Sequence, residues 1–215
     1  AEDHAGNIGE FSPVWSVLID TTPPSVPILS SPINGYATNQ MNITFEWSVS
    51  YDTGSLGGSG VSGYEIYIST TSDFSVWTIS DFTQAESCDY QLPQGLYYWR
   101  VRAVDNVDNY GLWTMIYQLT IDTTPPQVVD SQEGDDFWQN TGGKLYKVYF
   151  YDNRFGDTKL YSISYSVSTS PFYGSPPIID WTDIASPPIN QPSYESDWPV
   201  NFALLLEEVT NYVSV

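Results

Sequence analysis

Residues 1–24, AEDHAGNIGEFSPVWSVLIDTTPP, recur as residues 103–126, AVDNVDNYGLWTMIYQLTIDTTPP. The offset is a constant 102 with no gap: Ala1 matches Ala103, Asp3 matches Asp105, Asn7 matches Asn109 and Gly9 matches Gly111. A repeat of this length is one small domain, so the first residues read as the tail of a unit whose front half is absent. The last five residues, NYVSV, read as the stretch that precedes such a tail, where the full unit has Tyr98-Trp99-Arg100-Val101. The chain is therefore expected to be a repeat array in a permuted frame. Residues 1–21 hold the last strand or strands of a split unit. Residues 22–124 form a complete domain, and residues 125–215 form a domain lacking its final strand. Two expectations remain open: the chain is a piece of a longer tandem array, or each molecule completes the next.

Periodicity fixes the class as all-β. Phe45, Trp47 and Val49 alternate with Glu46 and Ser48. Tyr64, Ile66 and Ile68 alternate with polar residues, as do Tyr97, Trp99, Val101 and Ala103. Tyr117, Leu119 and Ile121 repeat the habit, then Tyr146, Val148 and Phe150, then Tyr161, Ile163, Tyr165 and Val167. An apolar period of two means strands with one face on a core. Asn34-Gly35 and the run Gly54–Gly63 supply turns. The Pro-Pro pairs at 23–24 and 125–126 end strand pairing and make stiff junctions. The stretch 171–199 reads as a long connection, and Val200–Leu206 and Tyr212–Val215 read as strands. No helix of ordinary length is expected.

The residues Leu92-Pro-Gln-Gly-Leu-Tyr-Tyr-Trp-Arg-Val-Arg-Ala103, with Trp47 upstream and Ala-Val-Asp-Asn-Val-Asp-Asn-Tyr-Gly downstream, carry a resemblance. The chain resembles the fibronectin type III/Ig-like tandem repeats of large prokaryotic cell-surface proteins. The likeness is close over 1–24 and 22–126 and looser over 127–215. It implies tandem Ig-like/fibronectin-III-like β-sandwiches. It also implies that Tyr97 is the corner tyrosine, bonding the backbone near the preceding turn, and that Trp47 is a core aromatic between the sheets.

The charge is −20, from 26 acidic and six basic residues, which argues against nucleic-acid and anionic-membrane partners. No segment is apolar enough for a membrane span. Cys88 is the single cysteine, so no intramolecular disulfide can form. His4 is the single histidine and lies in a turn-like segment, so a Ser-His-Asp triad has little to build on. No catalytic, cofactor-binding or phosphate-binding motif is present, and no small-molecule substrate is indicated. The chain is expected not to be an enzyme.

No metal site is assigned, but calcium is a candidate. Asp105 and Asp108, with Asp20 or Asp122 from the junctions, offer oxygen ligands of the kind Ca²⁺ takes. The same residue types also make turns by bonding their own backbone. The eight tryptophans are assigned mainly to the core rather than to a carbohydrate platform, with Trp77, Trp181 and Trp198 left unassigned. Asn42-Ile-Thr44 is a sequon.

The expected function is an extracellular, cell-surface structural or assembly protein. The expected partner is a second copy of itself, in a head-to-tail homopolymer joined by strand donation. The donor residues are Trp15, Val17 and Ile19, which align with the inward Tyr117, Leu119 and Ile121. The alternative is a segment of a longer adhesin or spacer array.

Overall fold

The computed structural model describes residues 1–54, 57–131, 145–152, 159–171, 176–200, 204–205 and 212–215. The described secondary structure is strand throughout, apart from a short turn at Leu204.

The first sandwich has two sheets. One contains β1 (Leu29–Ser31), β3 (Asn42–Trp47) and β6 (Ser87–Gln91), in the order β1-β3-β6. The other contains β2 (Tyr36–Thr38), β4 (Val61–Ser69), β5 (Trp77–Thr83), β7 (Gly95–Asp105) and β8 (Tyr117–Ile121), in the order β2-β8-β7-β4-β5. The first strand is split, β1 staying with β3 while β2 switches sheets to lie parallel to β8, the last strand of this sandwich. The alternation seen in the sequence is the packing. Phe45, Trp47, Tyr64, Ile66, Ile68, Tyr97, Trp99, Val101, Leu119 and Ile121 are buried between the sheets. Phe45 meets Trp99 edge-on at 4.9 Å, and Trp47 meets Tyr64 at 5.6 Å. The Tyr97 hydroxyl donates to the Pro93 carbonyl at 2.9 Å and so ties down the turn before β7. Gly35 supplies the positive φ, 79°, of the turn before β2.

The second sandwich has β9 (Gln127–Asp130), β11 (Val148–Tyr151) and β14 (Ser193–Tyr194) in one sheet, with β10 (Leu145–Tyr146) paired to β15 (Trp198–Pro199). The third group is β12 (Ser164–Ser168), β13 (Ile179–Asp183) and β16 (Tyr212–Ser214), in the order β13-β12-β16. Its core holds Val148, Phe150, Ile163, Tyr165, Val167, Ile179 and Trp198.

Several expectations need correction. Val49 is half exposed and lies beyond the end of β3, where the backbone turns and the Ser50 N–H donates to the Tyr64 hydroxyl. Tyr161 is exposed, so the inward phase of its segment begins at Ile163. The stretch 171–199 is not a bare connection: it contributes β13, β14, β15 and the buried Trp198. Of the strand expected at Val200–Leu206, Val200, Leu204 and Leu205 are not in a strand, and residues 201–203 and 206 lie outside the described residues. Three tryptophans, Trp47, Trp99 and Trp198, are core residues, whereas Trp15, Trp77 and Trp181 are exposed. Trp113 is half-buried against Tyr67 and the Arg100 and Arg102 guanidiniums rather than in the core. Trp138 lies outside the described residues.

Candidate functional site

The corner after β7 is held by one carboxylate. Asp105 Oδ1 accepts from the Val107 and Asn109 backbone N–H groups at 2.9 and 2.8 Å, and Oδ2 accepts from Asn109 Nδ2 at 2.7 Å. Gly111 N–H then closes the corner on the Ala103 carbonyl at 2.9 Å. The chain folds the same corner a second time, 102 residues earlier. Asp3 Oδ1 accepts from the Ala5 and Asn7 N–H groups, each at 2.9 Å, and Oδ2 accepts from Asn7 Nδ2 at 2.7 Å. Gly9 N–H closes it on the Ala1 carbonyl at 2.8 Å. The bridge Glu2–Ile8 repeats Val104–Tyr110. Even the left-handed residue recurs: Gly6 has φ 86° where Asp108 has φ 64°. Local Asx chemistry suffices to build the corner, so it forms at residues 1–9 with no β7 equivalent beside it.

Beyond the two corners the chain takes different courses. After Gly111 it enters β8, paired with β7 on one side and β2 on the other. After Gly9 the equivalent segment is paired with nothing described. Trp15 is 85 % exposed and Val17 and Ile19 are each 82 % exposed, with Phe11, Val14 and Leu18 also in solvent. The second sandwich also has an edge strand. There β16 pairs with β12 on one side, as β7 pairs with β4, and among the described residues no strand lies on its other side. Such an edge offers unpaired backbone groups to an incoming strand.

The junction before the first sandwich gathers acidic groups. Oxygens of Asp20, Asp52 and Asp105 lie within 4.8 Å of one another. Asp20 Oδ2 accepts from Ser59 N–H at 2.6 Å, and Asp52 Oδ2 from Gly60 N–H at 2.8 Å. Asn109 Nδ2 also reaches the Asp20 carbonyl at 3.2 Å, tying junction to corner. Gly58, at φ 67°, backs onto the Asp52 carboxyl so closely that a Cβ would collide with it. Burial pushes the Asp105 carboxyl up, but the bonds from Asn109 and Val107 outweigh it and hold the group below its ordinary 3.8. Backbone bonds from Thr22 and Ser59 lower Asp20 likewise.

Of the calcium candidates, the fold joins Asp105 with Asp20 and adds Asp52, which sequence reading missed. Asp108 is an exposed turn residue outside the group. Asp122 sits at the second junction, where its Oδ1 accepts from Thr124 N–H at 3.0 Å, the counterpart of Asp20 with Thr22. The donor set of the cluster is all oxygen, a set that could hold a hard divalent cation. His4 is exposed in the first corner. Cys88 is half-buried on β6, and burial pushes its thiol up to about 11. No helix among the described residues is long and apolar enough to cross a membrane.

No protein-family model matches the chain. The chain is 31 % identical over 134 aligned residues to an exoglucanase B of Cellulomonas fimi, covering 59 % of this chain and 11 % of that protein. The chain thus spans about a tenth of the length of that relative. Solved structures similar to it include the fibronectin(III)-like modules of Clostridium thermocellum CbhA. The match is 17 % identical with a TM-score of 0.38, over 81 % of this chain and 78 % of that one. A human fibronectin type III domain is also similar, at 17 % identity and a TM-score of 0.34 over 57 % and 87 %. A Bacillus thuringiensis chitinase, ChiA74, matches at 17 % and 0.37, over 71 % and 20 %.

Proposed function

From tandem sandwiches of fibronectin-III/Ig-like fold, we propose that the chain is a non-catalytic structural module of an extracellular array. Its units are completed in sequence: a segment of the type 1–20 supplies the last strand of the sandwich before it. Between separate copies of this chain, the segment of one molecule docks on the second sandwich of the next. The contact joins two different surfaces, so it repeats head to tail and grows into a filament or closes into a ring.

The observation that carries this reading is the pair of unmatched halves. Residues 15–19 have the sequence position of β8 but stand exposed, and β16 pairs with β12 as β7 pairs with β4, with no strand on its other side among the described residues. Deleting residues 1–20 tests it. The shortened chain is expected to stay a monomer or to aggregate without order in light scattering and electron microscopy. Peptide 1–20 added in trans should bind it and block growth of the intact chain. Ordered polymers from the shortened chain would refute the reading.

The exoglucanase likeness supports a second form of the same module, a spacer within a longer chain that carries an enzyme. There the completing strand arrives by peptide continuity rather than by docking. A native reading frame that continues past Val215 with a further Ala-x-Asp-x-x-x-Asn corner selects this form. The placement outside the cell rests on the resemblance to repeats of cell-surface proteins.

A further inference from the structure

The two sandwiches can be put in one register by a feature of their shared strand. Ser69 Oγ, at the end of β4, lies 2.8 Å from the carbonyl two residues on, at Thr71, beside the Val76 carbonyl at 2.6 Å, and Ser168 Oγ, at the end of β12, reaches the Ser170 carbonyl two residues on. The sequences agree around them, Ile68-Ser69-Thr70 against Val167-Ser168-Thr169. In the first sandwich Ile68 faces Trp99 and Ser69 faces Tyr98; in the second, Val167 faces Val213 and Ser168 faces Tyr212. Val213 therefore stands where Trp99 stands, Tyr212 where Tyr98 stands, and Val215 where Val101 stands.

The first sandwich also fixes the pairing on the far side. Trp99 faces Tyr117 and Tyr98 faces Gln118 on β8. Past the end of that ladder, Val101 N–H donates to the Thr114 hydroxyl at 3.1 Å, and Thr114 N–H donates to the Val101 carbonyl at 2.9 Å. Carried back by the 102-residue offset, Tyr117, Gln118 and Thr114 are Trp15, Ser16 and Ser12. A hydroxyl is kept at the position that brackets the valine.

Resting on the proposed assembly, we infer that residues 11–20 of a second copy dock antiparallel along β16 in a single register. Trp15 lies opposite Val213, Ser16 lies opposite Tyr212, and the Ser12 hydroxyl takes the Val215 N–H.

Side-chain size supports this register. In the first sandwich a large inward Trp99 meets Tyr117 edge-on at 5.9 Å. On β16 the inward residue is the small Val213, which packs at the margin of the second core. The incoming residue opposite it is the larger Trp15, so the pair fills similar space with its members exchanged. A slip of one residue would send Trp15, Val17 and Ile19 to the solvent face. A slip of two would place Val17 against Val213, leaving the space of an indole unfilled, and would lose the Ser12 bond. The docking segment 11–19 also contains no charged side chain, between Glu10 and Asp20. That suits a strand buried between two strongly acidic molecules.

Cross-linking reads the register directly. In a Cys88→Ser background, the full chain with Ser16→Cys and Tyr212→Cys is assembled and oxidised. Both positions face outward, so the core is untouched. The expected result is a ladder of covalent multimers on a non-reducing gel. The slipped pair, Ser16→Cys with Ser214→Cys, should give at least tenfold less. A stronger ladder from the slipped pair, or none from either pair while light scattering shows normal assembly, overturns the register and leaves the assembly reading standing. Failure of the unmodified chain to assemble overturns the assembly reading itself.

Discussion

Asn109 Nδ2 and Asp105 Oδ2 lie 2.7 Å apart in the corner after β7, and Asn7 and Asp3 repeat the contact at the same distance in the corner at the start of the chain. The bond is the same but the surroundings differ: Asp105 is 1 % exposed, whereas Asp3 is in solvent. Asn109→Ala leaves a buried carboxylate oxygen without its donor and should destabilise the first sandwich by about 1–3 kcal/mol in a denaturant melt. Asn7→Ala should leave that melt within about 0.5 kcal/mol. Under the proposed docking it should, however, weaken assembly, because the corner preceding residues 11–20 is loosened.

The depressed Asp105 carboxyl gives the first sandwich an acid limit. Folding lowers its pKa below the ordinary 3.8, so the unfolded chain binds the proton first as pH falls. The stabilisation is full above that ordinary value and is lost as pH drops through the lower folded value. Melting curves between about pH 5 and pH 2 should therefore show stability falling with acidification. Asp105→Asn, which removes the titrating group, should flatten that slope while lowering stability at neutral pH.

Trp47 and Trp15 separate folding from association. Trp47 is 4 % exposed and packed on Tyr64, so Trp47→Ala should cost about 3–5 kcal/mol of stability. Trp15→Ala should change monomer stability by less than about 0.5 kcal/mol, since the side chain touches almost nothing in the single chain. It should reduce assembly at least tenfold by sedimentation.

Two copies that each carry −20 repel one another, and an uncharged docking segment offers no compensating attraction. Assembly should therefore strengthen with salt. Raising NaCl from about 20 mM to about 500 mM shortens the screening length several-fold and should raise the assembled fraction at fixed protein concentration. Weaker assembly at high salt would point to a charge-paired contact instead.

The first sandwich was legible because its two sheets obey one rule. From Tyr64 to Ile68 and from Tyr97 to Ala103, every second residue is buried, so the alternation alone locates the core. Tyr97 could be placed because the resemblance carried by Leu92–Ala103 implies a corner tyrosine, and its hydroxyl does reach the backbone at Pro93. Asp52 was not legible as a companion of Asp20 and Asp105, which lie far from it in sequence. Its place in the cluster depends on where the β3–β4 loop folds back against the junction. Trp198 and the short strands β13 to β15 were missed for a related reason. Two- and five-residue strands set among prolines carry too few alternations to stand out from loop. Residues 132–144, 153–158, 172–175, 201–203 and 206–211 lie outside the described residues.

The closed corner at residues 1–9 bears on how fast and how tightly such copies could join. A donor strand that arrived as loose chain would have to be ordered along its whole length at the moment of docking. Fixing each residue's backbone costs roughly 1–2 kcal/mol. Here the Asp3 carboxylate has already fixed the first nine residues into the shape they take in a finished unit. Only the segment beyond Gly9 remains to be immobilised. If the proposed docking holds, the start of the chain acts as a preorganised guide, and the entropy of shaping it belongs to folding rather than to association.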